Sequence, residues 1–155
     1  MKYKFTVFSL LCITIIMFTY AVSCVPQACL EDMDANVKAS FYVTGTGKLQ
    51  APGKVTLYGL GRDTSKIYNE ASDLQTIEIP LDAGSDTCRF IMIINGITDT
   101  VNFIYSSYPH LVTKECGYTY YHNLELIENT RSDVDFLIKN REITTKNVEN
   151  IHIFY

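Results

Sequence analysis

From Ala35 to the last residue the chain alternates between apolar and polar positions, in short stretches parted by turn signals. In "ANVKASFYV" the apolar side is Val37, Ala39, Phe41 and Val43. "GKVTLYGL" offers Val55 and Leu57, and "LQTIEIPL" offers Ile77 and Ile79 before Pro80 ends the run. "YTYYHNLELI" places Tyr118, Tyr120, His122, Leu124 and Leu126 on one side, with Tyr121, Asn123 and Glu125 on the other. "DVDFLIK" and the closing "NIHIFY" read the same way. Period two is the signature of a half-buried strand. Between the runs lie "GTGK", "APGK", "GLGRD", "LDAGSD", "NG" and "YPH", and no stretch has helical period. Short strands at this spacing predict an all-β fold, an antiparallel β-sandwich of immunoglobulin-like or similar Greek-key type with about 7–9 strands. Membrane-barrel strands need about 9–11 residues and a lipid-facing apolar band, which most of these runs lack.

One hairpin has a readable register. In "CRFIMIINGITDTVNFIY" two apolar runs flank Asn95-Gly96, a dipeptide suited to a turn whose two central residues need positive φ. A two-residue turn then pairs Ile94 with Ile97, Met92 with Asp99, Phe90 with Val101 and Cys88 with Phe103. One face carries Cys88, Phe90, Val101 and Phe103. The opposite face carries Arg89, Thr98, Thr100 and Asn102 beside Ile91 and Ile93. The first face is the core candidate, which makes Cys88 a free, buried, inert thiol.

The N-terminal segment breaks the alternation. Lys2 and Lys4 precede the apolar run "FTVFSLLCITIIM", and small residues lead to Cys24 in "AVSC". A positive start, an apolar stretch of about 7–15 residues and a small-residue exit predict an export signal over residues 1–23. The same bond is the one cut in bacterial lipoproteins. The segment is therefore read as a lipobox with Cys24 as the acylated residue, although Ala21 stands where leucine is more usual. Ordinary cleavage before an unmodified Cys24 is the competing reading. Residues 24–35 follow as a tether without periodicity, and the sandwich is expected over 36–155. The expected address is the cell envelope, with the membrane reached through the N-terminal lipid. Val25 after the cysteine, rather than aspartate, points to the outer membrane and leaves its face open.

Composition narrows the partners. Seventeen acidic residues face thirteen basic ones, two of which are Lys2 and Lys4, and no basic stripe is visible. This sets nucleic acid aside. Of five cysteines, Cys12 lies in the leader and Cys24 at the acylation site. With Cys88 assigned to the core face, Cys29 and Cys116 remain as the pair for a disulfide, which an exported protein can keep. The alternative is that all three are free thiols.

No motif discloses a reaction. "TGTGK" would need Gly at position 42 and Ser or Thr after Lys48 to be a phosphate loop, and Tyr42 and Leu49 stand there. "DMDAN" opens like a calcium loop, but Val37 and Val43 occupy the positions that require Gly and Glu. His110, His122 and His152 have no metal-ligand spacing. No metal, cofactor or catalytic residue is therefore predicted, and His122 is read as a hydrogen-bonded histidine in or beside the core. The chain has eleven tyrosines and no tryptophan. Tyr118, Tyr120 and Tyr121 cluster, and tyrosine can line a binding surface as well as fill a core. They are the candidate binding surface.

The lipobox-like "SC", Cys29 close behind it, "VTLYGLGRD" followed by "IYN", "IEIPLD" and "VNFIYSSYPHLVTKECGYTYYHNL" stand in one chain. Together they resemble a family of short exported lipoproteins of Bacteroides-type bacteria, classed as a domain of unknown function. "LYGLG" and "ECG" are the more specific elements. The resemblance is taken to run from Cys24 to the end of the chain. It implies an envelope lipoprotein with a sandwich-like domain, matches Cys29 and Cys116 to cysteine positions, makes Cys88 an addition, and brings no catalytic residues. The functional expectation is a binding or scaffolding module that contacts another envelope protein or a glycan. The alternative is an enzyme whose site is assembled from non-adjacent loop residues.

Overall fold

The computed structural model describes residues 29–155. Cys24 and the leader expected over residues 1–23 lie outside the described residues. Eleven strands follow one another: β1 (Val37–Val43), β2 (Lys48–Leu49), β3 (Val55–Gly59), β4 (Lys66–Ala71), β5 (Thr76–Ile79), β6 (Thr87–Ile94), β7 (Ile97–Thr113), β8 (Gly117–Asn129), β9 (Asp135–Ile138), β10 (Glu142–Ile143) and β11 (Ile151–Phe154). They form two sheets. One has the order β2-β1-β11-β9, with β5 also paired to β1. The other is a meander ordered β10-β8-β7-β6-β3-β4. The expected all-β sandwich is present.

It differs from expectation in two details. The described residues hold eleven strands rather than about 7–9, because β2 and β10 are two-residue pairings that carry no readable period. In addition, β1 pairs with β11 in parallel, Ala39 opposite Ile151 and Phe41 opposite Ile153. Two strands more than a hundred residues apart give no local sign of that choice.

The core lies between the sheets and follows the alternation. Val37, Ala39 and Phe41 of β1, Ile77 and Ile79 of β5, and Ile151 and Ile153 of β11 point inward from one side. Val55, Leu57, Phe90, Met92, Ile94, Val101, Phe103, Tyr105, Leu124 and Ile143 meet them from the other. The β6–β7 register is the one the turn predicts, with Ile94 opposite Ile97, Phe90 opposite Val101 and Cys88 opposite Phe103. Asn95 and Gly96 both have positive φ, at 51° and 85°. Phe90 meets Phe103 edge-on at 5.8 Å, a geometry that aromatic pairs prefer.

Tyr105 links the middle of β7 to the loop after β5. Its ring is buried. Its hydroxyl donates to the Asp82 carbonyl at 2.8 Å and accepts from the Asp82 N–H at 3.0 Å. Burial, and then the neighbouring Cys88 thiol, push its ionisation well above that of an ordinary tyrosine. Asp99 plays a comparable part near the start of β7. Buried in the fold, it accepts from the backbone N–H groups of Thr130 and Arg131 and from the side chains of Thr130 and Asn129, and so fixes the turn after β8.

Candidate functional site: the β7–β8 ribbon

Strand lengths create the site. β7 has 17 residues and β8 has 13, while β6 has 8 and pairs only with Ile97 to Ile104 of β7. Beyond Ile104 the two long strands continue alone as a ribbon, joined on one edge only by β10 at Asn123 and His122. Pro109 lies on this stretch. A proline has no ladder N–H to offer and suits an open edge.

One face of the ribbon begins in the core and leaves it. Cross-strand partners along this face are Tyr105 with Leu124, Ser107 with His122, Pro109 with Tyr120, and Leu111 with Tyr118. Tyr105, Leu124 and His122 are buried. Tyr120 is 50% exposed, Leu111 46% and Tyr118 71%. The change takes six residues of strand, or about 20 Å. The apolar pattern continues where burial has ended. Neither the Tyr118 nor the Tyr120 hydroxyl has a partner among the described residues.

The other face is closed by its own side chains. Tyr121 is only 7% exposed. Its ring stacks on His110 at 4.1 Å, meets Tyr108 edge-on at 6.2 Å, and its hydroxyl lies 3.2 Å from Thr145 Oγ1. Tyr108 Oη donates to Glu142 at 3.1 Å. Burial and that carboxylate raise the Tyr108 ionisation. Thr119 Oγ1 donates to the Met33 carbonyl at 2.6 Å. This corrects the expected binding surface: Tyr118 and Tyr120 are exposed together, but Tyr121 points the other way and is buried by His110 and Tyr108. The expected side of β8 is also broken at its end. A register shift between Ile104 and Tyr105 leaves Leu126 outside and brings Ile127 against the core.

His122 fits its reading as a core histidine. Ser107 Oγ lies 2.8 Å from its Nδ1, and Tyr105 meets the ring edge-on at 5.4 Å. Burial lowers its pKa, because the charged ring would be desolvated there. At the ribbon tip the Cys116 N–H donates to Thr113 Oγ1 at 3.0 Å, and Gly117 turns the chain with φ of 80°. Cys116 and Cys29 are disulfide-bonded, and Cys88 is the free cysteine among the described residues. Cys88 is half-buried rather than buried. It is the outermost pair of the core face, its sulfur lies 3.0 Å from Tyr105 Oη, and it borders a cleft. That cleft, of about 450 Å³, is also lined by Arg62, Arg89, Asp82, Leu60 and Phe90.

One further polar cluster was not visible in the sequence. Glu149 accepts from Tyr42 Oη at 3.3 Å and lies 2.8 Å from His152 Nε2, while Tyr42 and His152 stack at 4.1 Å. Burial alone would raise the Glu149 pKa, but hydrogen bonds from Ser40, His152 and Tyr42 outweigh it and hold the carboxylate ionised. The carboxylate engages the serine and the histidine separately. Only the parallel β1–β11 pairing, which sets Ser40 opposite His152, brings the group together. Among the described residues no three His, Cys, Asp or Glu side chains converge as a metal site would require.

No curated protein and no solved structure matches the chain. A family model matches residues 54–155, a span that holds the ribbon, its Cys116 tip and the "LYGLG" and "ECG" elements and begins after Cys24 and Cys29. The chain belongs to this family, DUF6452, a family of unknown function.

Proposed function

We propose that the protein is a lipid-anchored component of the bacterial cell envelope, at the outer membrane, that acts by binding or scaffolding. On this reading residues 1–23 are an export signal and Cys24 carries the acyl chains. The folded domain then contacts other envelope components, a protein or a glycan among them. The observation that supports a contact role is the ribbon face with Leu111, Tyr118 and Tyr120 bare. An exposed aromatic and apolar surface on a rigid element marks an interaction site. The disulfide supports the exported address, because such bonds persist in oxidising compartments.

Cells fed a clickable fatty acid should label the wild-type protein and leave Cys24→Ser unlabelled; equal labelling of both ends the lipoprotein reading. Affinity capture from detergent-solubilised envelope should return a reproducible stoichiometric partner. The enzyme alternative draws on the cleft beside Cys88, whose volume lies in the range of small-molecule sites. Turnover of any substrate that is lost on Arg62→Ala and Arg89→Ala would favour it.

A further inference from the structure

The bare ribbon face and the disulfide lie at the same end of one hairpin. We propose that this face rests on the lipid bilayer that carries the anchor, and that the Cys29–Cys116 bond holds it there. The proposal rests on the Cys24 acylation above and names the first envelope component that the ribbon meets.

The reasoning is covalent. Cys29 is five residues after Cys24. A chain spans at most about 3.3–3.6 Å per residue, so this link reaches no further than about 18 Å. The disulfide adds a Cα separation of about 6 Å. The tip of the ribbon is therefore leashed within about 24 Å of the acylated residue, whereas without the bond the first hold on the ribbon is Met33 at Thr119, roughly 30 Å of chain from Cys24. The headgroup layer occupies the first several ångströms of that distance, since a bilayer of about 40–45 Å has a hydrocarbon core of about 30 Å. Ile97, at the other end of the 17-residue β7, lies roughly 50 Å along the strand from Thr113. A leash at one end of so long a hairpin brings that end, and not the other, to the membrane.

The chemistry of the face matches this surface. Tyrosine is enriched at membrane–water boundaries, where the ring sits among the lipids and the hydroxyl stays wet. Tyr118 and Tyr120 present rings whose hydroxyls have no partner among the described residues, and Leu111 and Pro109 lie opposite them on the same face. The turn carries Lys114 beside Glu115, while Glu31, Asp32 and Asp34 follow Cys29 and Met33 is held to Thr119, so this end of the domain is net negative. Contact is then driven by the apolar and aromatic surface, and anionic lipid opposes it. With the tip seated, the domain stands on end and its remaining surfaces, the cleft among them, are left to meet other envelope components.

The absence of tryptophan provides the test. Purified, lipidated full-length protein is reconstituted in phosphatidylethanolamine vesicles, with and without phosphatidylglycerol, containing a bromine-labelled phospholipid. Two variants each introduce a single reporter at an exposed position, Tyr118→Trp at the tip and Ile97→Trp at the far end. Emission from Tyr118→Trp should move to the blue and be quenched at least about twofold by the labelled lipid, as for an interfacial aromatic. Emission from Ile97→Trp should do neither, and added phosphatidylglycerol should weaken the Tyr118→Trp quenching rather than strengthen it. Adding Cys29→Ser and Cys116→Ser to Tyr118→Trp should weaken the quenching. Inserting a Gly/Ser stretch between Ala28 and Cys29, which keeps the disulfide and lengthens the leash, should do the same. Protein that floats with the vesicles while both reporters stay unquenched overturns the proposal and leaves the anchor intact. Protein that does not float, and carries no lipid by intact mass, overturns the anchor together with the proposal. A blue shift that grows with protein density but not with labelled lipid assigns the face to a second copy, and likewise overturns it.

Discussion

The two halves of the β7–β8 hairpin follow the same alternation and end in opposite circumstances. In the near half, Val101, Phe103, Tyr105 and Leu124 lie under the facing sheet and are buried. In the far half, Leu111, Tyr118 and Tyr120 continue that face into open space. What differs is the surroundings: β6 pairs with β7 only as far as Ile104, and burial on this face persists through Tyr105, Leu124 and His122 and is lost by Tyr120 and Leu111. The near half thus holds the fold together, and the far half is available for contact.

The largest difference between the halves should appear on truncation. Phe103→Ala removes a fully buried ring that packs edge-on against Phe90. It should cost about 3–5 kcal/mol in urea unfolding. A loss below about 1 kcal/mol would mean that the near half is not the core.

Next comes the clasp at the tip. Replacing Cys29 and Cys116 by serine together opens a long loop, and chain entropy predicts a loss of about 2–5 kcal/mol. Unfolding midpoints that do not differ with and without reductant would show that the bond contributes nothing to stability. Mass analysis after alkylation checks directly that only one thiol, Cys88, reacts in the unreduced residues 29–155.

At the boundary between the halves, Tyr105→Phe keeps the buried ring and removes the hydroxyl that bonds Asp82. A cost of about 1–2 kcal/mol is expected, because the Asp82 backbone groups lose their partner. Hydrogen exchange at the Asp82 amide should speed up in the same variant.

His122 gives the pH signature of the near half. Burial lowers its folded-state pKa below the unfolded value of about 6.5. Between those two values the unfolded chain binds the extra proton, so stability falls as pH drops through about 6.5 and is fully reduced below the folded value. Glu149 is also shifted downward, but its contribution is present above an unfolded pKa of about 4.3 and is lost only as pH falls below that. His122→Gln should therefore flatten the slope of stability between pH 7 and 5 and leave the steeper acid limb in place. An unchanged slope would show that His122 is already free to charge in the folded protein.

The smallest effect belongs to the far half. Tyr118→Ala should change stability by no more than about 0.5 kcal/mol, as expected for a side chain without tertiary partners. A loss of several kcal/mol would mean that this ring has a structural partner, and the contrast between the halves would fail.

Much of the fold is legible in the chain because it is local. Asn95-Gly96 dictates a tight turn, and a tight turn sets every pair from Ile94–Ile97 to Cys88–Phe103. Where a strand runs straight beneath cover, as at Val37, Ala39 and Phe41, counting by two finds the core. Counting by two fails on β8. The register shift opposite Tyr105 moves Leu126 out, and Tyr121 is buried on the outer face by neighbours that alternation does not mention. Cys88 was assigned to the right face and to too dry a place, because its position at the end of that face next to a cleft depends on loops from β3 and β5.

The amino-acid order alone determined an all-β chain, the β6–β7 register and the inward faces of β1, β5 and β11, and it singled out Cys29 and Cys116 as the pair while leaving three free thiols as the alternative. The first three follow from period two or from turn geometry; the bond itself is seen in the structure. Tertiary structure decided the parallel pairing of β1 with β11, the Tyr42–Glu149–His152 cluster that this pairing assembles, and the point along β7 and β8 where burial stops. The physical reason is common to all three. Alternation says which way a side chain points, whereas burial depends on what another part of the chain places opposite it.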